Sequence, residues 1–532
     1  MRHDGIFRIP THLPGVASNH VATMGAKAYD LSRMVLLGLP VPPAFVLGTT
    51  HCRSWYREPD PYRKGLSTLL AEQMCWLQSI TGLEFGDSCK PLLVSVRSGA
   101  PVSMPGMMNT LLNIGLCDST VQGLLQITSK PRLVWDSYRR LIQSFAELVF
   151  GVSPQPFASA LEALLTREHL NRPHELDIPS LFELTQTYLQ LFAGLTGHQF
   201  PQNPHDQLET AVQAVFSSWN SSRAVEYRRL NGIREDLFTA AIIQQMVFGN
   251  AGGASGSGVG FTRDPDTGEN KLYFDFLFDS QGDDLVSGRT SDSDADRLFS
   301  AMPATGQELA AICAALEREF RDAQEFEFTV QDGKLYLLQT RSAKRTQWAA
   351  LRIAVEQARE GLIDQQEALD RLEGLPLDDI KRLRLSLEGE PLCKGESVGI
   401  GVAIGSLVLD IDSIRNVSSK GGLPVVLVRE NIFTFDSAAI ALSAGVLTTQ
   451  GNRTSHAATV SRQLGKPCIT NCGGMRIDLD RRVVEFGDQL LPEGTPITLD
   501  SNTGLVYAGK AEVVVDHPKE WQEEIRRWLV PL

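Results

Sequence analysis

Long apolar segments are missing from this 532-residue sequence. The longest weakly polar run, VGIGVAIGSLVLDI from Val398, is too short and too rich in glycine to cross a membrane. The first residues, MRHDGIFRIPTHLPG, lack the apolar core that a secretory signal requires. We therefore expect a cytoplasmic protein.

Cysteine pairs of the C-x-x-C type are missing too. The eight cysteines contain no C-x-x-C pair, which favours reduced thiols over a disulfide framework. Cys468 and Cys472 are near each other, but a metal site needs more ligands than these two. We expect both to be small buried residues.

Positive charge is scarce. The formal net charge is −13 and the isoelectric point is near 5.4, so the sequence has no electrostatic signature of nucleic-acid binding. A local cluster of arginine and lysine can still hold a small anionic substrate.

The two standard nucleotide fingerprints, G-x-x-x-x-G-K-[ST] and G-x-G-x-x-G, are absent as well. A glycine-rich patch, GNAGGASGSGVG, is nevertheless present at 249–260. It fits either a flexible hairpin loop or a cradle of backbone N–H groups for phosphate, and both interpretations stay open.

The chain is too long for one ordinary core, so two or more domains are expected. A short buried strand, LLVSV, is predicted at 92–96, ending at Arg97, and helices are predicted from about 117 to 231. Strands follow, and EFEFTV and KLYLLQT form a hairpin around the turn QDG. A charge-rich helical linker is predicted at 346–388, followed by a second compact unit with strands VVLVRE, GVLTTQ, PCIT and PITLD. An amphipathic helical tail closes the chain.

Arg97 is a candidate phosphate ligand because it follows a buried strand and precedes a Gly- and Pro-containing loop. A surface arginine at a strand end explains the same pattern. The loop from Ser103 to Met108, SMPGMM, likewise fits a plain turn that carries core methionines.

The hairpin offers a second candidate site. In EFEF, Glu325 and Glu327 lie on one face of the strand and the two phenylalanines on the other. Together with Gln339 and Arg341 on the partner strand, these carboxylates suit Mg²⁺, which prefers oxygen ligands and retains phosphates as co-ligands. A solvated strand face is the alternative.

His456, in GNRTSHAATVSRQLGKPC, is the most specific signal. Thr454 or Ser455 can cap a helix that starts there, which places His456 in its first turn. The helix dipole at that position disfavours the imidazolium and favours incoming negative charge. A neutral imidazole that attacks phosphorus fits this environment. A metal role lacks further ligands, and no G-x-S-x-G motif supports a Ser-His-Asp triad.

Taken together, several segments resemble the pyruvate phosphate dikinase family, in the order of that family, from about residue 20 to 509. They are TMGAKAYDLSRMVLLGLPVPPAFVL, VSVRSGAPVSMPGMMNTLLNIGL, AVFSSWNSSRAVEYRRLNGI, MVFGNAGGASGSGVGFTRDPDTGE, EFTVQDGKLYLLQTRSAKRT and TSHAATVSRQLGKPCIT. The resemblance implies an α/β and α+β multidomain fold. It implies an ATP-grasp nucleotide-binding domain at 1–345 with a helical part at about 117–231, linker helices at 346–388, a swivelling phosphohistidine domain at 389–509 and a helical tail at 510–532.

By this resemblance, His456 takes phosphoryl groups from ATP, with Mg²⁺, and releases AMP. A pyrophosphoryl-histidine then passes its terminal phosphate to inorganic phosphate and leaves phosphohistidine, with Thr454 and Ser455 beside it. The resemblance also places Thr454 at a position that some members use for regulatory phosphorylation. The implied ATP contacts are Lys27, Arg97, Ser103, Gly106, Arg139, Gln281, Asp283, Glu325, Glu327, Gln339 and Arg341, of which Glu327 and Gln339 are the implied metal ligands.

The sequence departs from the family at Pro101, at Asn109 and in GNRTSH, where members usually have GGMTSH. The largest departure is at the end. In the full enzymes a barrel that binds phosphoenolpyruvate or pyruvate follows, and such a barrel takes about 250 residues. The residues after Gly509 are too few for it.

Three hypotheses follow. The chain is the ATP-dependent half of a dikinase whose barrel is a separate subunit, or a phosphotransferase with another small-molecule or protein acceptor, or a non-catalytic nucleotide-binding scaffold. The joint retention of six residues argues against the scaffold: Lys27, Arg97, Glu327, Gln339, Arg341 and His456.

Overall fold

The computed structural model describes residues 5–10, 21–104, 107–170, 172–286, 295–386, 389–414, 424–432 and 436–529. Its contacts divide the chain into two compact units. The first unit comprises Met1–Gly256 and Thr329–Thr340, and the second comprises Ser257–Phe328 and Arg341–Leu532. These units do not coincide with the domain boundaries expected from the sequence, which stay a prediction.

The first unit is built on an antiparallel five-stranded sheet with the strand order β1-β2-β5-β3-β4. Its strands are β1 (Ile6–Ile9), β2 (Ala44–Leu47), β3 (Val94–Gly99), β4 (Thr110–Ile114) and β5 (Ala240–Gln245). β2 and β3 are buried along their whole length, although only β2, AFVL, is a continuous apolar run and β3, VSVRSG, contains two serines and Arg97. β3 continues to Gly99, so Arg97 lies within the strand, and the prediction that the strand ends at Arg97 was wrong.

Helices cover this sheet. They are α1 (Val21–Met24), α2 (Ala26–Leu36), α3 (Thr49–Arg57), α4 (Pro59–Thr81), α5 (Asp118–Thr128), α6 (Pro131–Phe150), α7 (Gln155–Arg167), α8 (Ile178–Thr196), α9 (Pro204–Ser218) and α10 (Ser222–Leu230), with 3₁₀ turns at Pro173–Glu175 and Glu235–Leu237. The helical stretch predicted for 117–231 is thereby confirmed. Apolar residues recur at helical spacing, as in α6, where Leu133, Tyr138, Leu141 and Phe145 are buried in one core cluster.

A second sheet has the strand order β7-β6-β8-β9. Its strands are β6 (Gly256–Phe261), β7 (Tyr273–Phe278), β8 (Gln324–Gln331) and β9 (Lys334–Ser342), and the hairpin predicted around QDG is confirmed. The last five residues of the glycine-rich patch, 256–260, therefore belong to a strand. A Cβ on Gly258 would overlap the ring of Phe328, and one on Gly260 the ring of Phe326, so these glycines make room for aromatic packing rather than for phosphate.

The second unit also contains α11 (Gly282–Val286), α12 (Ala295–Ala301), α13 (Pro303–Phe320), α14 (Gln347–Arg359) and α15 (Gln365–Arg371), with a 3₁₀ turn at Leu377–Asp379. The two predicted linker helices are present as α14 and α15. They are followed by β10 (Arg382–Leu385), which pairs with β22 (Val513–Asp516) ahead of the tail helix α18 (Lys519–Leu529). The all-helical linker and tail predicted from the sequence therefore missed this two-stranded sheet.

An eight-stranded mixed sheet forms the rest of the unit, in the order β11-β21-β20-β13-β14-β15-β16-β12. Its strands are β11 (Cys393–Lys394), β12 (Glu396–Val398), β13 (Val402–Val408), β14 (Val425–Arg429), β15 (Gly445–Thr448), β16 (Cys468–Thr470), β20 (Pro496–Asp500) and β21 (Leu505–Ala508). β13 to β16 are parallel neighbours, and α16 (Ser437–Leu442) and α17 (His456–Gln463) connect β14 to β15 and β15 to β16. A small antiparallel sheet joins β17 (Met475–Asp478), β18 (Val483–Phe486) and β19 (Gln489–Pro492).

The cysteine prediction was partly wrong. Cys393 and Cys472 form a disulfide, whereas the other six cysteines are free thiols. The two sulfurs belong to residues separated by 79 positions, which only the folded sheet brings together. Cys468 is buried and free, as predicted. Within the described ranges, none of the helices has the length and apolar character needed to cross a membrane.

Candidate functional site

In the first unit, the Arg97 guanidinium is buried and joins two strands. It donates to the backbone oxygen of Leu338 at 2.8 Å and to Oε1 of Gln339 at 3.3 Å, both in β9. Nη1 of Arg97, which donates to Leu338, also lies 3.5 Å from Oε1 of Gln244 in the neighbouring β5. The structure thus brings together two of the predicted ATP contacts, Arg97 and Gln339, and adds Gln244, which the sequence analysis missed.

Lys27 is placed near the same strand by a tight backbone contact. The N–H of Ala26 donates to the carbonyl of Ala100 at 3.0 Å, which fixes the first turn of α2 against the end of β3. Gly25 precedes this turn with φ of 82°, and a Cβ there would overlap the carbonyl of Gly99. Only glycine combines this positive φ with the absence of a Cβ atom. Lys27 therefore starts its helix beside the strand that carries Arg97.

Arg139 belongs to a buried polar cluster in α6. It forms an ion pair with Asp136 at 2.5 Å, and Arg140 contacts the other carboxylate oxygen at 2.8 Å. Burial alone would raise the pKa of Asp136, but the two guanidinium groups and a hydrogen bond from Asn250 hold it below its usual range. Asn250 donates to Asp136 at 3.0 Å and opens the glycine-rich loop, so the cluster anchors that loop.

The remaining predicted ATP contacts are dispersed. In the second unit, Glu325 forms a bidentate ion pair with Arg341 at 2.5 and 3.0 Å. Gln281 is buried and directly precedes α11. Glu327 is half-buried on the same face of β8 as Glu325, as predicted. Ser103 is exposed, the backbone of Asp283 lies in α11, and Gly106 lies outside the described residues.

His456 is the first residue of α17, as the sequence predicted. Ser455 is the N-cap, and its hydroxyl accepts the N–H of Ala458 at 3.4 Å. Gly451, four residues before the cap, has φ of 103°, and a Cβ there would lie 3.1 Å from the Ser455 hydroxyl. Glycine at 451 therefore allows the turn that precedes the catalytic candidate.

The surroundings of His456 keep its imidazole neutral. Burial lowers its pKa from 6.5, and the nearby carboxylate of Asp436 opposes this shift only in part. Its Nε2 atom is buried, and no group in the part of the chain that the structure describes hydrogen-bonds to it. A neutral ring with a desolvated nitrogen at a helix N-terminus is suited to attack an electrophilic phosphorus.

A bidentate ion pair holds the other end of this helix. Arg462 donates to the two carboxylate oxygens of Asp266 at 2.6 and 3.1 Å, and both side chains are buried. The sequence analysis missed this pair. Arg462 is six residues after His456, but no local pattern connects it to an aspartate 196 positions away.

The Mg²⁺ ion implied by the resemblance needs oxygen donors. No group of three histidine, cysteine or acidic residues that would form a dedicated metal cage exists among the described residues. Magnesium instead takes one or two protein oxygens together with substrate phosphates. Taken separately, Glu327 of the second unit offers a carboxylate, and Gln339 of the first unit offers an amide oxygen that keeps one lone pair beside its hydrogen bond from Arg97.

Two family models match separate parts of the chain. Residues 66–302 match the model of the pyruvate phosphate dikinase AMP/ATP-binding domain, and residues 422–504 match that of the PEP-utilising enzyme mobile domain. The chain is 39% identical over 496 residues to a pyruvate, phosphate dikinase of Clostridium symbiosum, covering 92% of this chain and 56% of the relative. It is 39% identical over 532 residues to that of Rhizobium meliloti (strain 1021), covering 95% and 59%, and 39% identical over 499 residues to that of Giardia intestinalis, covering 92% and 56%.

The chain thus combines a nucleotide-binding domain with a mobile domain of PEP-utilising enzymes. It belongs to the pyruvate phosphate dikinase family, and the predicted multidomain architecture of mixed helices and sheets is confirmed. The chain spans between 56% and 59% of the length of these three relatives.

Proposed function

We propose that this chain transfers phosphoryl groups from ATP to His456 and releases AMP, as the first half of a dikinase reaction. The observation that carries the proposal is the state of His456: a neutral imidazole at a helix N-terminus whose buried Nε2 has no hydrogen-bond partner among the described groups. The relatives' name, pyruvate, phosphate dikinase, adds two acceptors, pyruvate and phosphate.

The step is a substitution at phosphorus. Nε2 of His456 attacks the β-phosphorus of ATP, the bond from that phosphorus to the oxygen bridging to the α-phosphate breaks, and AMP leaves with this oxygen. The terminal phosphate of the pyrophosphoryl group then passes to inorganic phosphate, which forms diphosphate and leaves phosphohistidine. With the ring proton on Nδ1, the attacking nitrogen carries its lone pair and needs no base.

In this proposal the polar side chains around Arg97 and in the hairpin hold the ATP phosphates, and Glu327 and Gln339 hold Mg²⁺. The ion neutralises phosphate charge when it is bound. The residues proposed to contact ATP are Lys27, Arg97, Ser103, Gly106, Arg139, Gln281, Asp283, Glu325 and Arg341. Thr454 and Ser455 shape the turn before His456, and the domain limits are those expected from the sequence. Thr454 matches the position that some family members use for regulatory phosphorylation.

The second acceptor is proposed to be pyruvate, or a related small molecule, bound on a separate barrel subunit. Incubation of the chain with ATP, Mg²⁺ and phosphate should release about one AMP and one diphosphate per chain and then stop. Pyruvate with such a barrel subunit should restart AMP release, since the histidine is discharged. Formation of ADP in place of AMP would contradict the proposed step.

The pH dependence of labelling follows from the lowered pKa of His456. The folded chain keeps its imidazole neutral below pH 6.5, so the labelling rate at saturating ATP should stay level from pH 8 to about 6.5 and fall only in more acidic solution. Because the unfolded chain takes up this proton first as the pH falls, His456 also reduces stability in acid. Acidification therefore lowers both the labelling rate and the stability of the folded chain.

Asp436 provides the matched variant for this pH profile. Asp436→Asn removes the charge that opposes the pKa shift, so the acid limb of the rate profile should move to lower pH. Asp480→Asn, at an exposed position of the same unit, should leave it in place. An acid limb that moves to higher pH in Asp436→Asn would contradict this assignment.

Arg97→Lys tests the strand-joining guanidinium. Lysine keeps the positive charge but cannot reach Leu338 and Gln339 with a planar fork of donors. Hydrogen bonds of charged groups contribute about 1.5–3 kcal/mol, so ATP affinity or labelling rate should fall roughly 10- to 100-fold. Arg229→Lys is the control, because Arg229 is exposed and pairs with Glu226 on the same helix. Equal behaviour of the two variants in ATP-binding and labelling assays would refute the role of Arg97.

A further inference from the structure

The side chain of Asn452 uses both ends of its amide. It is buried, with 2% of its surface exposed. Its Oδ1 accepts the backbone N–H of Thr454 at 3.1 Å and the hydroxyl of Thr454 at 3.0 Å. Its Nδ2 donates to the backbone oxygen of Leu285 at 3.1 Å. One side chain therefore connects the turn before His456 to helix α11.

This set of partners requires an amide. Thr454 presents two donors, which need an acceptor, and Leu285 presents a carbonyl, which needs a donor. Asparagine supplies both from one planar group. An aspartate keeps the acceptor for Thr454 but places a negative oxygen against the Leu285 carbonyl, and an alanine removes both contacts and leaves buried groups unsatisfied.

The neighbouring contacts hold the same helix to the same part of the chain. Arg462, in the last turn of α17, is paired with Asp266. Arg453, just before the helix, lies 5.6 Å from the centre of the Tyr273 ring, while its ion-pair partner at 2.5 Å, Glu396, belongs to β12. The helix that starts at His456 is thus attached on both sides to the segment between residues 257 and 328, and Asn452 makes the attachment that is closest in sequence to the imidazole.

We propose that Asn452 is a positioning residue for phosphoryl transfer to His456. Its amide holds the Thr454–His456 turn against α11, which begins beside Gln281 and contains Asp283. This inference rests on the proposed function, because those two residues are proposed phosphate contacts. Asn452 acts through geometry and does not touch the reacting atoms. It also accepts the hydroxyl of Thr454, which is 9% exposed.

The first test is single-turnover labelling of the full chain with radioactive ATP and Mg²⁺. Asn452→Asp and Asn452→Ala should both lower the labelling rate at saturating ATP by roughly 10- to 100-fold, as displacement of a reacting group does. The dissociation constant of ATP should change less than about twofold, because Asn452 is not a proposed nucleotide contact. Gln450→Glu is the control, since it adds the same charge to an exposed side chain in the same loop.

Asn452→Asp separates the two functions of the amide. A normal labelling rate in this variant would mean that only the contact inside the loop matters, and the proposal would be wrong. A loss of equal size in Gln450→Glu would assign the effect to charge and would also overturn it. If the wild-type chain takes up no label at all, the proposed function fails, and the catalytic positioning role fails with it.

Hydrogen exchange gives a readout that does not depend on labelling. Asn452→Asp should speed amide exchange in peptides that cover 281–286 and 452–463, while Gln450→Glu should not. Unchanged exchange in Asn452→Asp would show that the link to Leu285 is absent, whatever the labelling result. Faster exchange combined with a normal labelling rate would reduce Asn452 to a structural residue and overturn the proposal.

Discussion

Replacing His456 by asparagine should abolish ATP-dependent labelling of the chain, with a loss of at least about 10³-fold. An amide nitrogen has no basic lone pair to offer to phosphorus, whereas the neutral imidazole has one on Nε2. The fold should be retained, because position 456 is the first of α17, where the backbone N–H has no partner within the helix.

The measurement is the initial rate of label uptake and AMP release, with the thermal midpoint as the check on folding. His517→Asn is the control, since His517 is exposed and belongs to the tail that follows β22. AMP release that continues unchanged in His456→Asn would assign the nucleophile to another residue and refute the proposed chemistry.

Arg462→Met should be among the most destabilising substitutions in the second unit. The side chains of Arg462 and Asp266 are 1% and 7% exposed, so removal of the arginine leaves a carboxylate buried without its counter-ion. Breaking such a pair costs about 3–5 kcal/mol. The urea midpoint of the second unit should fall accordingly, followed by the fluorescence of Trp348 and Trp521, whose rings lie 5.6 Å apart in that unit.

Two controls isolate the buried pair. The double variant Arg462→Met with Asp266→Leu should recover most of the loss, because neither partner then leaves a buried charge. Arg167→Met breaks an exposed pair with Glu183 and should cost less than about 1 kcal/mol. A loss of the same small size in Arg462→Met would mean that the pair contributes little to the stability of this unit.

Local pattern was sufficient for much of the fold. The hairpin at 324–342 follows from alternating residues around a tight turn, and helix α17 follows from a cap and a small-residue run. The β10–β22 pairing was missed because its two strands are 134 residues apart at Arg382 and Asp516, and each looks helical or irregular by itself. The disulfide between Cys393 and Cys472 was missed for the same reason.

At the candidate site too, local features could be predicted, whereas contacts between residues far apart in the sequence could not. The position of His456 at a helix start could be predicted because capping is a local property. Asn452 could not be recognised, because its partner Leu285 is 167 positions away and any buried asparagine has the same sequence pattern. The cluster of Asp136, Arg139 and Asn250 contains one contact that local spacing predicts and one that only the tertiary structure creates. The spacing of three between Asp136 and Arg139 is readable on a helix, whereas Asn250 is supplied by tertiary structure alone.

In the proposed reaction, His456 itself carries the phosphoryl group derived from ATP. The most direct test supplies the chain with Mg²⁺, phosphate and ATP that is radioactive at either the β- or the γ-phosphorus, and then maps any acid-labile label to a peptide. We predict that the β-label remains on the peptide containing His456 while the γ-label leaves in diphosphate. A γ-label retained on the chain with release of ADP, or a label on any peptide without His456, would contradict this account.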